Sequence, residues 1–154
     1  MEIEKKYLVS SLPDGLTQYK TWEIEQCYLC ISPVLRIRKK NEDYILTYKN
    51  RTKKLADANK LCVADEIEVP LTKEAYEHLK KKADGKCICK TRYLIPYETY
   101  TIELDIFHGD YEGFYLAEVE FASVEESKDF TPPFWFGEDV SGDFHYSNSY
   151  LAQN

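Results

Sequence analysis

Glu2-Ile3-Glu4-Lys5-Lys6 stands at the start of the chain, and the reading of this alternation decides the fold. Residues two apart on a strand point the same way, so Glu2, Glu4 and Lys6 share one face. Two carboxylates and an ammonium are a poor start for a hydrophobic core. They are a reasonable start for a site that binds a divalent metal together with an anion. One such strand settles nothing, because exposed strands commonly carry these residues. The alternation, however, returns all along the chain. Arg36 and Arg38 oppose Leu35 and Ile37; Thr47 and Lys49 oppose Leu46 and Tyr48; Glu66 and Glu68 oppose Ile67 and Val69. Lys90 and Arg92 oppose Cys89, Thr91 and Tyr93, Glu103 and Asp105 oppose Ile102, Leu104 and Ile106, and Glu118 and Glu120 oppose Ala117, Val119 and Phe121.

Within each strand the charged pair has one sign. Solvent faces ordinarily mix signs, since like charges close together repel. Single-sign pairs make sense where something outside the strand compensates them: a polyphosphate for the basic pairs, divalent cations for the acidic ones. The predicted strands are 2–9, 22–31, 33–40, 43–50, 62–70, 86–96, 99–108 and 113–122, rich in the chain's thirteen tyrosines and seven phenylalanines. Eight strands suit a closed antiparallel barrel, which leaves no sheet edge. Pattern alone allows two barrels. In one the charges line the bore and the apolar faces pack outward; in the other the apolar face is inside, around an apolar ligand.

The remaining elements are few. Thr72 caps a predicted helix over 72–83 with Ala75, Tyr76, Leu79 and Ala83 as its apolar stripe, and Ser123 with Glu126 forms a capping box for a short helix over 123–128. Residues 50–61 read as a polar, basic loop carrying Arg51, Lys53, Lys54 and Lys60. The apolar run 131–137 is expected to pack on the body, and Ser147-Asn148 to cap a final turn of helix. The expected class is mainly β (α+β) in a single domain over 1–154.

Composition narrows the function. A chain of 154 residues with 44% hydrophobic and 31% charged residues is a soluble globular type, and its net charge of −7 argues against a nucleic-acid or membrane binder. Residues 1–20 lack the apolar core of a signal peptide, so a cytoplasmic location is expected. Five cysteines include C-x-x-C at 27–30 and C-x-C at 87–89, but in so strand-rich a chain they read as small strand residues rather than zinc ligands.

Taken in order, the motifs Glu2-Ile3-Glu4-Lys5-Lys6, Gln26-Cys27-Tyr28-Leu29, Arg36-Ile37-Arg38, Leu46-Thr47-Tyr48-Lys49, Glu66-Ile67-Glu68, Lys90-Thr91-Arg92, Glu103-Leu104-Asp105 and Glu118-Val119-Glu120 resemble the CYTH superfamily, the triphosphate tunnel metalloenzymes. The tail from Trp135 to Asn148 is similar to that of the short bacterial members. Each pair is unspecific and the ordered set is specific. The resemblance implies an eight-stranded antiparallel tunnel with a charged lumen and a few packing helices. It implies metal ligation by Glu2, Glu4, Asp105, Glu118 and Glu120, with Glu103 as an additional or supporting acid. It implies phosphate contacts from Lys6, Arg36, Arg38, Lys49, Lys90 and Arg92, and a Lys90–Tyr28 pair near the reaction. Glu66 and Glu68 are expected to hold the lumen's cations in place. Hard oxygen ligands beside a phosphate point to Mg²⁺ or Mn²⁺. Where family members often carry a glycine and a basic residue, this chain has Cys27 and Ala64-Asp65. The expected activity is hydrolysis of a triphosphate, foremost inorganic triphosphate, by in-line water attack at the terminal phosphorus. The expected partner is a small-molecule triphosphate, bound by a monomer or homodimer. Thiamine triphosphatase, class IV adenylate cyclase and a non-catalytic binding barrel are the alternatives on the same scaffold.

Overall fold

The alternation closes into a barrel. The computed structural model describes residues 1–51 and 57–154. Its strands are β1 (Glu2–Leu8), β2 (Lys20–Ile31), β3 (Val34–Lys40), β4 (Asp43–Arg51), β5 (Cys62–Pro70), β6 (Asp84–Tyr97), β7 (Tyr100–Phe107) and β8 (Tyr115–Phe121). They form one closed antiparallel sheet in the order β1-β5-β4-β3-β2-β6-β7-β8. β2 begins two residues earlier than the pattern predicts, because Lys20 and Thr21 still pair with Leu94 and Tyr93, and β6 begins two earlier because Asp84 pairs with Tyr28. Of the basic 50–61 segment, Asn50 and Arg51 belong to β4, and residues 52–56, with Lys53 and Lys54, lie outside the described residues.

The charged faces point into the bore and the apolar faces point out, so the apolar-lined barrel is not the one formed. Ile102, Leu104, Ala117, Val119 and Phe121 on the outside of β7 and β8 are buried with Ile3 and Tyr7 of β1. They are covered by the chain's later segments. Helix α2 (Val124–Lys128) follows β8, its N-cap Ser123 Oγ accepting from Glu126 N at 3.1 Å. Phe130 packs edge-on against Tyr97, Tyr100 and Phe121, and Phe136 lies tilted against Tyr7. The predicted packing of the 131–137 run thus holds for Trp135 and Phe136, while Phe134 stays exposed. Gly137 permits this approach: a Cβ there would sit 2.9 Å from Leu8 O, and Gly137 N donates to that oxygen at 2.7 Å.

The other outer face is sealed by α1 (Lys73–Lys80), three residues shorter at its end than the stripe predicts, with Thr72 Oγ1 accepting from Ala75 N at 3.0 Å. Tyr76 of α1 is fully buried over Cys27 and Ile37, beside Cys87. Here the cysteine reading needs correction: Cys27 and Cys87 form a disulfide across β2 and β6, leaving Cys30, Cys62 and Cys89 free. Helix α3 (Asn148–Gln153), capped by Ser147 as expected, packs on β6 and β2. Gly85 (φ 67°) makes that possible, since a Cβ would lie 2.2 Å from Ala152 O. Among the described residues no helix is long and apolar enough to cross a membrane.

Candidate active site

Parity within strands and register between them assemble the site. β1 and β8 pair so that Glu4 lies opposite Glu120 and Lys6 opposite Glu118. β2 and β3 set Gln26 opposite Arg38 and Tyr28 opposite Arg36, and β3 and β4 set Arg36 opposite Thr47. The result is a cavity of about 250 Å³ lined by Glu2, Glu4, Lys6, Tyr28, Arg36, Arg38, Lys49, Lys90, Arg92, Glu118 and Glu120, together with Glu66, Glu68 and Glu103. Eleven of the twelve site residues expected from the sequence therefore face one lumen. The twelfth, Asp105, is fully buried beneath Lys90 and Arg92. There it accepts from Arg92 Nε at 2.7 Å and Nη2 at 2.9 Å, and its Oδ2 lies 2.7 Å from Lys90 Nζ.

The acids divide by their partners. Burial works against the charge of Glu118, yet Lys6, Arg92 and Lys90 hold its carboxyl well below the usual range. Burial also opposes ionisation of Asp105, and Arg92 and Lys90 more than offset it. Glu4 is different: burial, and then Glu118, push it up to about 8. Glu66 is pushed up to about 7 by burial and by Glu2, and Glu120 is raised by burial with Glu2 and Glu103 behind it. This wall of carboxylates has more negative charge than the neighbouring cations neutralise. Lys49 bridges part of it, 2.5 Å from Glu2 and 3.7 Å from Glu66, which is the holding role expected of Glu66. Glu68 accepts from Thr47 Oγ1 at 3.2 Å.

The cations divide likewise. Arg92 is wrapped by acids: Asp105, Glu103 at 3.0 Å and Glu118 at 3.7 Å. Arg36 and Arg38 meet neutral acceptors instead. Arg36 Nη2 donates to Thr47 Oγ1 at 3.3 Å, while its buried Nε has no hydrogen-bond partner among the described residues. Arg38 donates from Nε (3.0 Å) and Nη2 (2.7 Å) to the single oxygen Gln26 Oε1. Burial, then Arg36 and Arg92, push Arg38 down to about 9. An arginine keeps its proton in a protein, so the shift marks positive potential awaiting an anion. Lys90 is pushed down to about 8 by burial against the pull of Asp105. In that pair Asp105, gripped also by Arg92, is the firm charge and Lys90 holds its proton more weakly. Lys90 Nζ also donates to Asn148 Oδ1 at 3.1 Å.

Several contributors escaped the sequence reading. Gln26 was visible only as part of a motif, with no role. Ser147 and Asn148 were visible only as a helix cap and Ser149 not at all, yet all three line the lumen. No local signal places a chain end against Lys90. Trp22 and Lys40 stand at one part of the lining, the ammonium 4.0 Å from the indole centroid.

The barrel and its lumen have known counterparts. No family profile matches the chain. An inorganic triphosphatase of Nitrosomonas europaea is 34% identical over 98% of this chain and 96% of its own length. An inorganic triphosphatase of Acetivibrio thermocellus is likewise 34% identical, over 99% of this chain and 94% of its own. A crystal structure of an inorganic triphosphatase superposes with a TM-score of 0.71 at 32% identity, covering all of this chain and 95% of that one. A Hippeastrum protein described as a putative adenylyl cyclase with dominant triphosphatase activity shares the fold at 18% identity, with a TM-score of 0.61 over 83% of each chain. With a third of its residues identical along nearly its whole length, and with this barrel, the chain belongs to the inorganic triphosphatase family.

Proposed function

We propose that this chain is a triphosphate tunnel enzyme of the CYTH type that hydrolyses inorganic triphosphate with the help of Mg²⁺ or Mn²⁺. The observation that carries the reading is the pairing of Arg36 and Arg38 with neutral acceptors, facing a bore whose other wall is crowded with carboxylates. A triphosphate supplies the anion for the first wall. A divalent cation suits the second, because carboxylate oxygens are the donors Mg²⁺ and Mn²⁺ take and the raised Glu4 and Glu120 are short of positive charge. Among the described residues no three His, Cys, Asp or Glu side chains already stand as a gathered metal group. Glu2, Glu4, Glu118 and Glu120 line the same lumen and are the residues that would hold an ion. We assign Asp105 to anchoring Lys90 and Arg92, with any hold on the ion indirect.

When bound, the ion supplies counter-charge to the phosphate oxygens and helps ionise the attacking water. The chain's own residues supply the rest. Arg36, Arg38 and Lys49 align the phosphates, the arginines through forked, oriented contacts and the lysine as a compact charge. Lys6 is held protonated, Glu118 and Glu4 outweighing the burial that opposes its charge, and serves the terminal phosphate. Water attacks the terminal phosphorus in line, the bond to the bridging oxygen breaks, and pyrophosphate leaves with its new charge stabilised by the basic wall. Lys90 and Tyr28, which both line the lumen, are our candidates to hand over a proton. The lumen is built within one chain, so monomer and homodimer are both compatible with the reaction.

The test is phosphate release from inorganic triphosphate, ATP and thiamine triphosphate, with and without Mg²⁺ or Mn²⁺. Release from inorganic triphosphate that needs the ion is the expected result. Triphosphate bound but never cleaved, or cyclic AMP made from ATP, would overturn the proposal.

A further inference from the structure

Gln26 is fully buried, uncharged, and placed at a break in regular pairing: the register of β2 against β6 shifts between Gln26 and Tyr28. Its side chain joins two groups of the lumen. Arg38 donates to Oε1 twice, and Nε2 donates to the Tyr28 hydroxyl at 2.8 Å. The direction of this chain is forced. A guanidinium has only donors, so the amide oxygen must face Arg38 and the amide nitrogen must face Tyr28. The Tyr28 oxygen then accepts, and its own proton is free to be donated elsewhere. Of the five N–H donors a guanidinium carries, two of Arg38's are spent on Gln26. Among the described residues the others remain for an anion.

Charge follows the same logic. Arg92, a cross-strand neighbour of Asp105, has its charge met by carboxylates, whereas the partner of Arg38 fixes its plane and leaves its charge unspent. A glutamate would fit the same space and accept the same fork, but it would discharge the arginine and turn an acceptor toward Tyr28. Only a neutral residue with one acceptor and one donor end does both tasks.

We infer that Gln26 is a positioning residue of the phosphate site, which orients Arg38 without neutralising it and turns the Tyr28 hydroxyl into a donor. The inference deepens the triphosphate reading of the lumen and rests on it. Gln26→Glu and Gln26→Met test it, each alone and combined with Arg38→Ala. The readings are the calorimetric Kd for inorganic triphosphate without divalent ion, kcat and KM with Mg²⁺, and the melting temperature. Gln26→Glu is expected to weaken Kd and raise KM by about tenfold or more, since a charge-assisted contact is lost. Its melting temperature should stay at or above that of the parent, because the fork becomes an ion pair. Gln26→Met should weaken binding less, as it frees the guanidinium without discharging it. On the Arg38→Ala background the Gln26→Glu effect on Kd should largely vanish, because Gln26 acts through Arg38. A merely structural glutamine would lower the melting temperature and leave Kd and KM unchanged, which would overturn the inference. So would an equal loss of affinity with and without Arg38. A parent protein that binds triphosphate without cleaving it would instead overturn the hydrolase reading, and the Kd comparison would still judge Gln26.

Discussion

Arg38 and Arg92 are both half of a basic pair on a lumen-facing strand, and their neighbours give them opposite work. Arg92 is closed in by Asp105, Glu103 and Glu118, whereas Arg38 touches the amide of Gln26. Replacing Arg38 with Ala should leave the fold intact and lower kcat/KM for inorganic triphosphate by about 10- to 100-fold, the worth of a charge-assisted contact of roughly 1.5–3 kcal/mol. Replacing Arg92 with Ala strands Asp105, which is fully buried, with half its compensation. That change should cost about 3–5 kcal/mol of stability, read by urea denaturation. The alternation put both arginines in the bore. It could not separate their roles, because the partner of each is chosen by register across strands: Gln26 twelve residues before Arg38, Asp105 thirteen after Arg92. Asp105 shows the same limit from the acid side, since parity predicts its face and not that Lys90 and Arg92 lie over it.

At the scale of elements, α1 and the β2–β6 seam act as one unit. Tyr76 of α1 donates to Glu25 Oε1 at 2.6 Å, and Lys80 approaches the same oxygen at 3.0 Å, above the Cys27–Cys87 disulfide. Burial opposes ionisation of Glu25, but Tyr76 and Lys80 more than offset it and lower its pKa below 4.5. A carboxylate lowered on folding adds stability above its unfolded pKa, and that stability is lost as pH falls through the folded value. Glu25→Gln should therefore lower the melting temperature by a constant amount above pH 4.5, and the gap to the parent should close in more acid solution. The disulfide adds a second, separable contribution: it closes a separation of 60 residues, for which about 2–4 kcal/mol is usual. Melting with and without reductant, beside Cys27→Ser, measures it. Helix α1 was legible because its apolar stripe and its Thr72 cap are local signals. The disulfide was not, since Cys27 and Cys87 become neighbours only when β2 finds β6. The spacings within 27–30 and 87–89 drew attention to pairs that do not form.

For the whole molecule, the unusual choice is a barrel with its core outside. Ile102, Leu104 and Val119 face away from the bore and need cover, which Phe130 and the tail provide. Phe130→Ala should cost about 3–5 kcal/mol by opening that outer core, and the triphosphate affinity of the folded protein should be unchanged, because Phe130 packs among Tyr7, Tyr97, Tyr100, Phe121 and Phe136 on the outer face. A conventional barrel with its core inside predicts the reverse coupling. Strand number and parity could be read from the sequence, and the ordered motifs chose between the two barrels. The cover could not be read in detail, since which tail aromatics pack and which, like Phe134, stay exposed depends on how residues 137–141 run back along β1. We propose that this inverted barrel holds a divalent ion on its acidic wall and a triphosphate on its basic one. Steady-state hydrolysis of inorganic triphosphate across a Mg²⁺ titration, for the parent and for Glu4→Gln, tests it most directly. The parent should gain activity with Mg²⁺ and lose it on chelation, and Glu4→Gln should stay near background at every Mg²⁺ concentration. Full turnover by Glu4→Gln, with the parent's dependence on Mg²⁺, would contradict the account.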